Sequence, residues 1–321
     1  MEKLLEVKNL SIGIHRRGGL LSSVEDISFN LGSGEILGLV GESGSGKTLT
    51  ALSIAALLGE DKEVTGGSIL FLGRNLLGLP EKDLKAIRGK EISMVFQEPF
   101  SSLNPLMKAG DQIAESLELH GGKSSSKSRV TELMAKLKFS EPEKIAKSYP
   151  HQLSGGMCQR VMIAMAMING PRLLIADEPT TALDRCTQSQ IIALLKGINR
   201  DMGTSILFIS HDLNVVKDLC DRVLVLYSGR ILEEGGTGEV FSNPAHEYTR
   251  CLINSIPDRA RRGKDLASIP GRIPSLEEGR PQGCPFHPRC AKAGPLCKGD
   301  FPPARFVSAA HKTHCVTEAA G

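Results

Sequence analysis

The chain has 321 residues, 40% hydrophobic and 23% charged, with 39 basic and 36 acidic side chains and a net charge of +3. That length exceeds one small core and suits a large domain with an extension, and the near balance of charge gives no overall basic excess of the kind that suggests nucleic acid as a main partner. No apolar run approaches the roughly 20 residues of a membrane span, and aromatic residues at 4% without tryptophan leave little material for stacking single-stranded bases.

In chain order, the start MEKLLEVKNL carries Glu2 and Glu6 and alternates like a strand, so it is not a leader peptide and a cytoplasmic chain is expected. Residues 1–35 and 64–73 read as short antiparallel strands joined by glycine-rich turns, an edge sheet. EILGLVG (Glu35 to Gly41) is a buried strand ending in glycine. After a loop, KTLTALSIAALLG reads as a helix through Leu49, Leu52 and Ala56 that closes at Gly59. Residues from about 100 to 170 are mostly helical, an insert in the strand and helix rhythm. PRLLIADEP is a strand broken by Pro179, CTQSQIIALLKGINRDMG a helix stopped by Gly203, TSILFIS a buried strand, and DRVLVLYSGRILEEG a hairpin turning at Ser228-Gly229. Strands alternating with helices predict an α/β fold with a parallel sheet covered on both faces. From about Phe241 the composition turns to Pro, Gly and charge with little periodicity, as in a linker to a small domain. RARR, Arg259 to Arg262, is expected to be a solvated part of that linker. There is no internal repeat.

GESGSGKT, residues 41 to 48, lies between the first buried strand and its helix. Gly41, Gly44 and Gly46 let the backbone wrap so that N–H groups point inward at an anion, Lys47 adds charge for the outer phosphates, and Thr48 can place its hydroxyl on Mg²⁺ at the positive end of the helix. With Glu42, Ser43 and Ser45 these residues are assigned to a nucleoside triphosphate. The bland reading, a glycine-rich turn with a chance Gly-Lys-Thr, leaves the flanking strand and helix unexplained. Alone the cradle does not separate kinases, GTPases and transport ATPases.

The strand RLLIADEP narrows the choice. It delivers Asp177 and Glu178 together at its carboxyl end, where ligands bind in parallel sheets. Asp177 is expected to hold Mg²⁺, directly or through water. Glu178 is placed to orient and deprotonate the attacking water. An adjacent acidic pair without such a cradle would read as a solvated strand end.

LSGGMCQR, residues 153 to 160, is a second glycine-rich helix start in a chain that already has one. Ser154 is a good N-cap, and Gly155 and Gly156 leave N–H groups unobstructed at the positive end of a helix carried by Val161, Met162, Met165 and Ile168 and stopped at Gly170-Pro171. Residues 1 to about 240 thereby resemble the nucleotide-binding subunit of ABC transporters, with LSGGMCQR similar to the family's signature motif. The resemblance implies an ABC-type fold: a RecA-like parallel-sheet core, an antiparallel β edge subdomain and a helical subdomain. It implies Mg-ATP, and two chains that sandwich two ATP molecules, so that Ser154, Gly155 and Gly156 cap a nucleotide held by a second ABC subunit, identical or related. It also implies roles for Gln97 in MVFQEP, near Mg²⁺ and water, for Asp184 in TTALD at the seam between subunits, and for His211 in FISHD at the γ-phosphate. Singly these read as a loop polar group, a helix cap and a capping side chain. Cys158 stands where the family's importers commonly have Arg or Gln. The family usually stacks adenine on an aromatic in its first strands; none precedes Phe29 here, and Ile14 or His15 is expected to substitute.

NPAHEYTRCLINSIP, IPGRIPS and GCPFHPRC extend the likeness to the C-terminal extension of the dipeptide, oligopeptide and nickel importers, which places residues 1–240 in the nucleotide-binding domain and 241–321 in the extension. That family implies two integral-membrane permease subunits, a substrate-binding protein outside the cell, and a place on the cytoplasmic face of the membrane. Soluble ABC machines acting on nucleic acid and small-molecule kinases are the competing functions; the first commonly carry two cassettes or long coiled coils, and the second leaves LSGGMCQR and FISHD unexplained. Of eight cysteines, four gather in the tail: Cys284, Cys290, Cys297 and Cys315, separated by five, six and seventeen residues. Without a signal peptide disulfides are not expected. Four thiolates suit an iron–sulfur cluster or zinc, the latter with His287, His311 or His314 able to take one position; the resemblance implies a [4Fe-4S] site in at least some members. Reduced structural cysteines are the alternative.

Overall fold

In this computed structural model, residues 2–121, 126–181, 183–256 and 268–316 are described; RARR lies outside them. The elements in chain order are β1 (Lys3–Arg16), β2 (Gly19–Gly32), β3 (Ile36–Val40), α1 (Lys47–Ile54), β4 (Lys62–Phe71), β5 (Arg74–Asn75), α2 (Glu81–Ile87) and β6 (Ile92–Val95). Five helices follow: α3 (Pro99–Ser102), α4 (Ala109–Glu118), α5 (Ser126–Lys136), α6 (Pro142–Ala146) and α7 (Gly155–Met167). Then come β7 (Leu173–Asp177), α8 (Arg185–Met202), β8 (Ser205–Ser210), α9 (Leu213–Leu219), β9 (Arg222–Tyr227), β10 (Arg230–Gly236), α10 (Thr237–Ser242) and α11 (Glu247–Asn254), and the tail adds β11 (Arg305–Phe306) and β12 (Lys312–Thr313).

The chain divides into two compact units. The first comprises residues 1–2, 32–35 and 78–208, the second 3–31, 36–77 and 209–321. In the first, β8, β7 and β6 are neighbours in that order, with β6 and β7 parallel. Every residue of β7 is buried, as a strand covered on both faces requires. The helical insert expected near residues 100 to 170 is α3 to α7.

In the second unit, β2-β1-β4-β5 form an antiparallel sheet, with longer strands than the sequence suggests: β1 and β2 have 14 residues each. Neighbours in a second sheet run β11-β12-β10-β9-β3, with β3 parallel to β9. All five residues of β3 are buried. The hairpin turns where expected: Ser228 and Gly229 have φ of 46° and 76°, the pair of positive values that matches a two-residue turn to strand twist.

Helix α1 is shorter than predicted. It ends at Ile54, not Gly59, because Ala56 takes the left-handed conformation (φ 53°) that glycine was expected to supply. The Leu57 N–H then bonds the Leu52 carbonyl at 2.8 Å and the Ala56 N–H the Ser53 carbonyl at 3.1 Å, the paired bonds that close a helix C-terminus.

The tail shares the core of the second unit instead of building its own. Its β12 adds to β10 through Thr313 opposite Glu233 and Lys312 opposite Glu234. Phe286 is fully buried, with its ring 5.4 Å from Tyr227 and 5.1 Å from Tyr248.

Candidate functional site

In the second unit, β3 leads straight into the glycine-rich loop. Gly41 has φ 151°, and a Cβ there would stand 2.1 Å from the Leu226 carbonyl oxygen, so any other residue would push the loop off β9. Gly44 and Gly46 also take positive φ, and Gly46 starts α1 with no side-chain cap, so the positive end of the helix meets the loop, an arrangement that favours an anion. The Lys47 ammonium is folded over the loop, donating to the carbonyls of Gly41 (2.8 Å) and Glu42 (2.9 Å) and to Ser45 Oγ (3.4 Å). Ser45 is buried and its carbonyl accepts from Gly229 at 2.9 Å, tying the loop to the β9–β10 turn. Ser43 and Thr48 are exposed. Glu42, Ser43, Gly44, Ser45 and Lys47 thus form one basic, backbone-lined cradle.

Two other residues expected at the nucleotide lie in this unit. His211 is exposed just beyond β8, and the capping role open to it belongs to its neighbour: Asp212 Oδ1 accepts from the Asn214 N–H at 3.0 Å at the start of α9. Of the two candidates for the adenine platform, Ile14 is 5% exposed and committed to the core. His15 is on the surface of β1, with Nε2 3.5 Å from the Glu63 carboxylate.

In the first unit, β7 ends at Asp177, which is 4% exposed. Glu178 then turns with φ 47°, a left-handed conformation that costs a non-glycine residue of order 1 kcal/mol and is concentrated at functional sites. Its Oε2 accepts from Gln97 Nε2 at 3.2 Å and from Thr181 Oγ1 at 2.9 Å. Two residues 81 positions apart, selected separately from the sequence, are thereby in contact. Thr181 was not anticipated, although it lies in the same TTALD run.

The signature helix α7 begins as expected, with Ser154 Oγ accepting from the Met157 N–H at 3.3 Å. Gly156 lets α8 approach: a Cβ there would sit 2.3 Å from Thr187 Cγ2. Asp184 caps α8 through the N–H groups of Cys186 and Thr187 and accepts from Thr187 Oγ1 at 2.6 Å, hydrogen bonds led by Thr187 that hold its carboxyl below the usual aspartate range. Cys158 is fully buried, with Sγ 3.5 Å from the Pro150 carbonyl oxygen and its thiol pushed up by burial. The residue that departs from the family pattern therefore faces the core, not the exposed helix start.

The four tail cysteines carry free thiols, and Cys284, Cys290, Cys297 and Cys315 all line one cavity of about 10 Å³ with His246, His287 and His314. Burial pushes the Cys284 thiol up to about 12 and His246 down to about 4. The donor chemistry suits a cluster or zinc, but among the described residues no group of three or more His, Cys, Asp or Glu is arranged to hold a metal ion. The expected metal thus finds thiols gathered but no formed site. His311 is not in this group: it pairs with Glu233 at 2.7 Å inside the second unit.

One contact of the loop has no precursor in sequence reasoning. Arg289, in the turn between Cys284 and Cys290, donates from Nη1 to Glu42 Oε2 at 2.6 Å and from Nη2 to Glu42 Oε1 at 3.0 Å. The Glu42 N–H donates to Tyr248 Oη at 2.9 Å. These partners lie 247 and 206 residues from Glu42, so no local pattern announces them.

Comparison with known proteins accounts for both ends of the chain. Residues 24–181 match the ABC transporter family model, and residues 232–297 match the model of the oligopeptide/dipeptide transporter C-terminal region. The oligopeptide transport ATP-binding protein OppD of Salmonella typhimurium is 45% identical over 97% of this chain and 93% of its own length. The Escherichia coli OppD is 46% identical over 95% of this chain and 91% of its own length. Among solved structures, the ATP-binding cassette MJ0796, a dimer in a post-hydrolysis state with ADP and phosphate, superposes with TM-score 0.65 at 30% identity, covering 73% of this chain and 98% of that one. Among the described residues no helix is long and apolar enough to cross a membrane. With a phosphate cradle, a Gln97–Glu178 contact and a matching tail, the chain belongs to the ATP-binding subunits of ABC transporters, in the branch that carries the oligopeptide/dipeptide C-terminal region.

Proposed function

We propose that the chain is the ATP-hydrolysing subunit of an importer of oligopeptides, closing on a second ABC subunit and transmitting that closure to two integral-membrane permease subunits at the cytoplasmic face. The observation that carries the hydrolytic reading is the Glu178 carboxylate held by Gln97 and Thr181 at the end of β7. A carboxylate accepting from two neutral donors is fixed in direction, as a group that orients and deprotonates water must be. Lys47 and the loop N–H groups are assigned to the phosphates, and Thr48, Asp177 and Gln97 to Mg²⁺, which neutralises charge on the transferred phosphoryl group. His211 is assigned to the γ-phosphate and His15 to the adenine. Ser154, Gly155 and Gly156 are assigned to the nucleotide of the partner subunit, with Asp184 at the seam; the inward position of Cys158 leaves that helix start unchanged.

The match of residues 232–297 to the oligopeptide/dipeptide region and the two OppD relatives support peptide cargo. The reading is tested in the reconstituted transporter, with its permease subunits and substrate-binding protein. Peptide-loaded binding protein is expected to stimulate ATP hydrolysis at least several-fold. Stimulation by nickel-loaded protein alone would reassign the cargo, and stimulation by RNA or DNA would reassign the machine. Glu178→Gln is expected to keep Mg-ATP binding and lower kcat by at least about 100-fold. For the tail we propose a [4Fe-4S] cluster on the four thiols, with zinc as its competitor, because all four line one cavity. Anaerobic purification yielding colourless, iron-free protein overturns the cluster.

A further inference from the structure

Glu42 is a liability where it stands. It is the second residue of the loop assigned to the triphosphate, and a free carboxylate there would oppose a ligand carrying several negative charges. The tail removes that charge. Arg289 meets Glu42 as a fork on a fork, at 2.6 and 3.0 Å, the two-bond geometry that adds direction to attraction. The guanidinium side chain is 6% exposed and that of Glu42 30%, so the pair is shielded from bulk water on the arginine side. Arg289 is itself fixed on three further sides: Nε donates to the Pro270 carbonyl at 2.7 Å, Nη1 also donates to Tyr227 Oη at 3.2 Å, and the charge lies 5.9 Å from the Phe286 ring centre. Tyr248 Oη accepts from the Glu42 N–H at 2.9 Å, holding the backbone of the same residue. Tyr227, Tyr248 and Phe286 pack on one another with ring centres 4.7 to 5.4 Å apart. The clamp therefore stands on a rigid aromatic base.

We infer that Arg289 of the C-terminal extension is a positioning residue for the phosphate loop: by neutralising and tethering Glu42 it sets the affinity of the chain for Mg-ATP. The inference rests on the reading of residues 41–48 as the triphosphate cradle. It gives the tail a part in nucleotide binding through the side chain of Arg289.

The test measures ATP hydrolysis and equilibrium binding of Mg-ATP in the assembled transporter. Arg289→Ala strands the carboxylate beside the phosphates and is expected to raise KM and Kd about tenfold, about 1.4 kcal/mol, while kcat at saturating ATP falls less than twofold. Arg289→Lys keeps the charge, loses the fork, and is expected to lie between parent and Arg289→Ala; it carries the test if the alanine variant misfolds. Removing the stranded charge should restore affinity, so Glu42→Gln in the Arg289→Ala background is expected to recover most of the loss. A purely structural clamp predicts the opposite, a double variant at least as impaired as Arg289→Ala. That result, or parental KM in both single variants at position 289, overturns the inference. Absence of Mg-ATP binding by the parent protein would instead sink the cradle itself.

Discussion

The phosphate loop and the C-terminal extension are built by opposite means. The loop is a matter of backbone: Gly41, Gly44 and Gly46 in positive φ, Lys47 folded onto the carbonyls of Gly41 and Glu42, and a helix start a few residues on. Lys47 reaches back only six and five residues to make those bonds, while the ties to the hairpin, Tyr248 and Arg289 come from far along the chain. Among its described residues the extension includes the eight-residue helix α11 and two strands of two residues, and beyond the pairing of β12 with β10 it holds to its unit by charge and side chains across long separations: Arg289 to Glu42, His311 to Glu233, and Phe286 among Tyr227 and Tyr248. A site made of backbone conformation tolerates almost no substitution at its glycines, whereas one made of ion pairs is sensitive to pH and to the loss of a single partner.

The largest expected effect on nucleotide binding falls on the loop. Lys47→Ala removes the charge assigned to the outer phosphates and is expected to weaken Mg-ATP binding by at least about 100-fold, of order 3 kcal/mol. Measured by titration with nucleotide, a loss of tenfold or less would break the contrast by making the loop as replaceable as the tail. Next is Gly41→Ala. With φ at 151° and Leu226 oxygen 2.1 Å from the new Cβ, the loop and the end of β9 must separate, and a loss of several kcal/mol is expected, seen as insoluble protein or a greatly lowered denaturation midpoint. Wild-type stability in that variant would mean the loop adjusts freely.

Where the tail meets β10, Glu233 accepts from His311 Nε2 at 2.7 Å, from the Ala245 N–H at 2.7 Å and from the His246 N–H at 2.9 Å, all buried. Glu233→Ala leaves those donors without an acceptor, and a loss of about 3–5 kcal/mol is expected by denaturant unfolding. The same pair makes the tail pH-sensitive. Glu233, with help from Glu239 at 3.4 Å, raises the His311 pKa above its ordinary value. The stabilisation is complete below an unfolded pKa of about 6.5 and fades as pH climbs through the higher folded value. Melting temperature should therefore fall as pH rises above about 6.5 in the parent and lose that slope in His311→Gln. An equal slope in both would remove His311 as its source.

How much could be read beforehand follows the same division. The strands at Glu35–Gly41 and Leu173–Asp177, the hairpin at Ser228-Gly229, the cap at Ser154 and the stop at Gly203 were legible because each is decided by a few adjacent residues. Helix α1 ends before the glycine that its sequence offers as a stop because Ala56 adopts a conformation reserved in most chains for glycine. Gln97 is marked by resemblance and Glu178 by its place at the end of a buried strand beside a phosphate cradle, while their mutual hydrogen bond and the support from Thr181 depend on where the fold carries them. Arg289 escaped entirely. Between cysteines and prolines it reads as a linker cation, and only the return of the chain after about 250 residues brings it to Glu42.

The smallest expected effect concerns a third region, the signature helix start, which is local like the loop but exposed like much of the tail. Ser154→Ala removes the hydroxyl that accepts from Met157 and should cost about 1 kcal/mol of stability, whereas Ser154→Gly should cost only a few tenths, since glycine leaves the cap open to water. Denaturant midpoints check that order. Hydrolysis in the assembled transporter separates the two roles of the residue: if the hydroxyl serves only its own helix, the glycine variant keeps nearly full activity. If it also reaches the partner's nucleotide, both variants lose more activity than either loses stability. An activity loss that followed stability alone would leave LSGGMCQR as a well-capped core helix and nothing more.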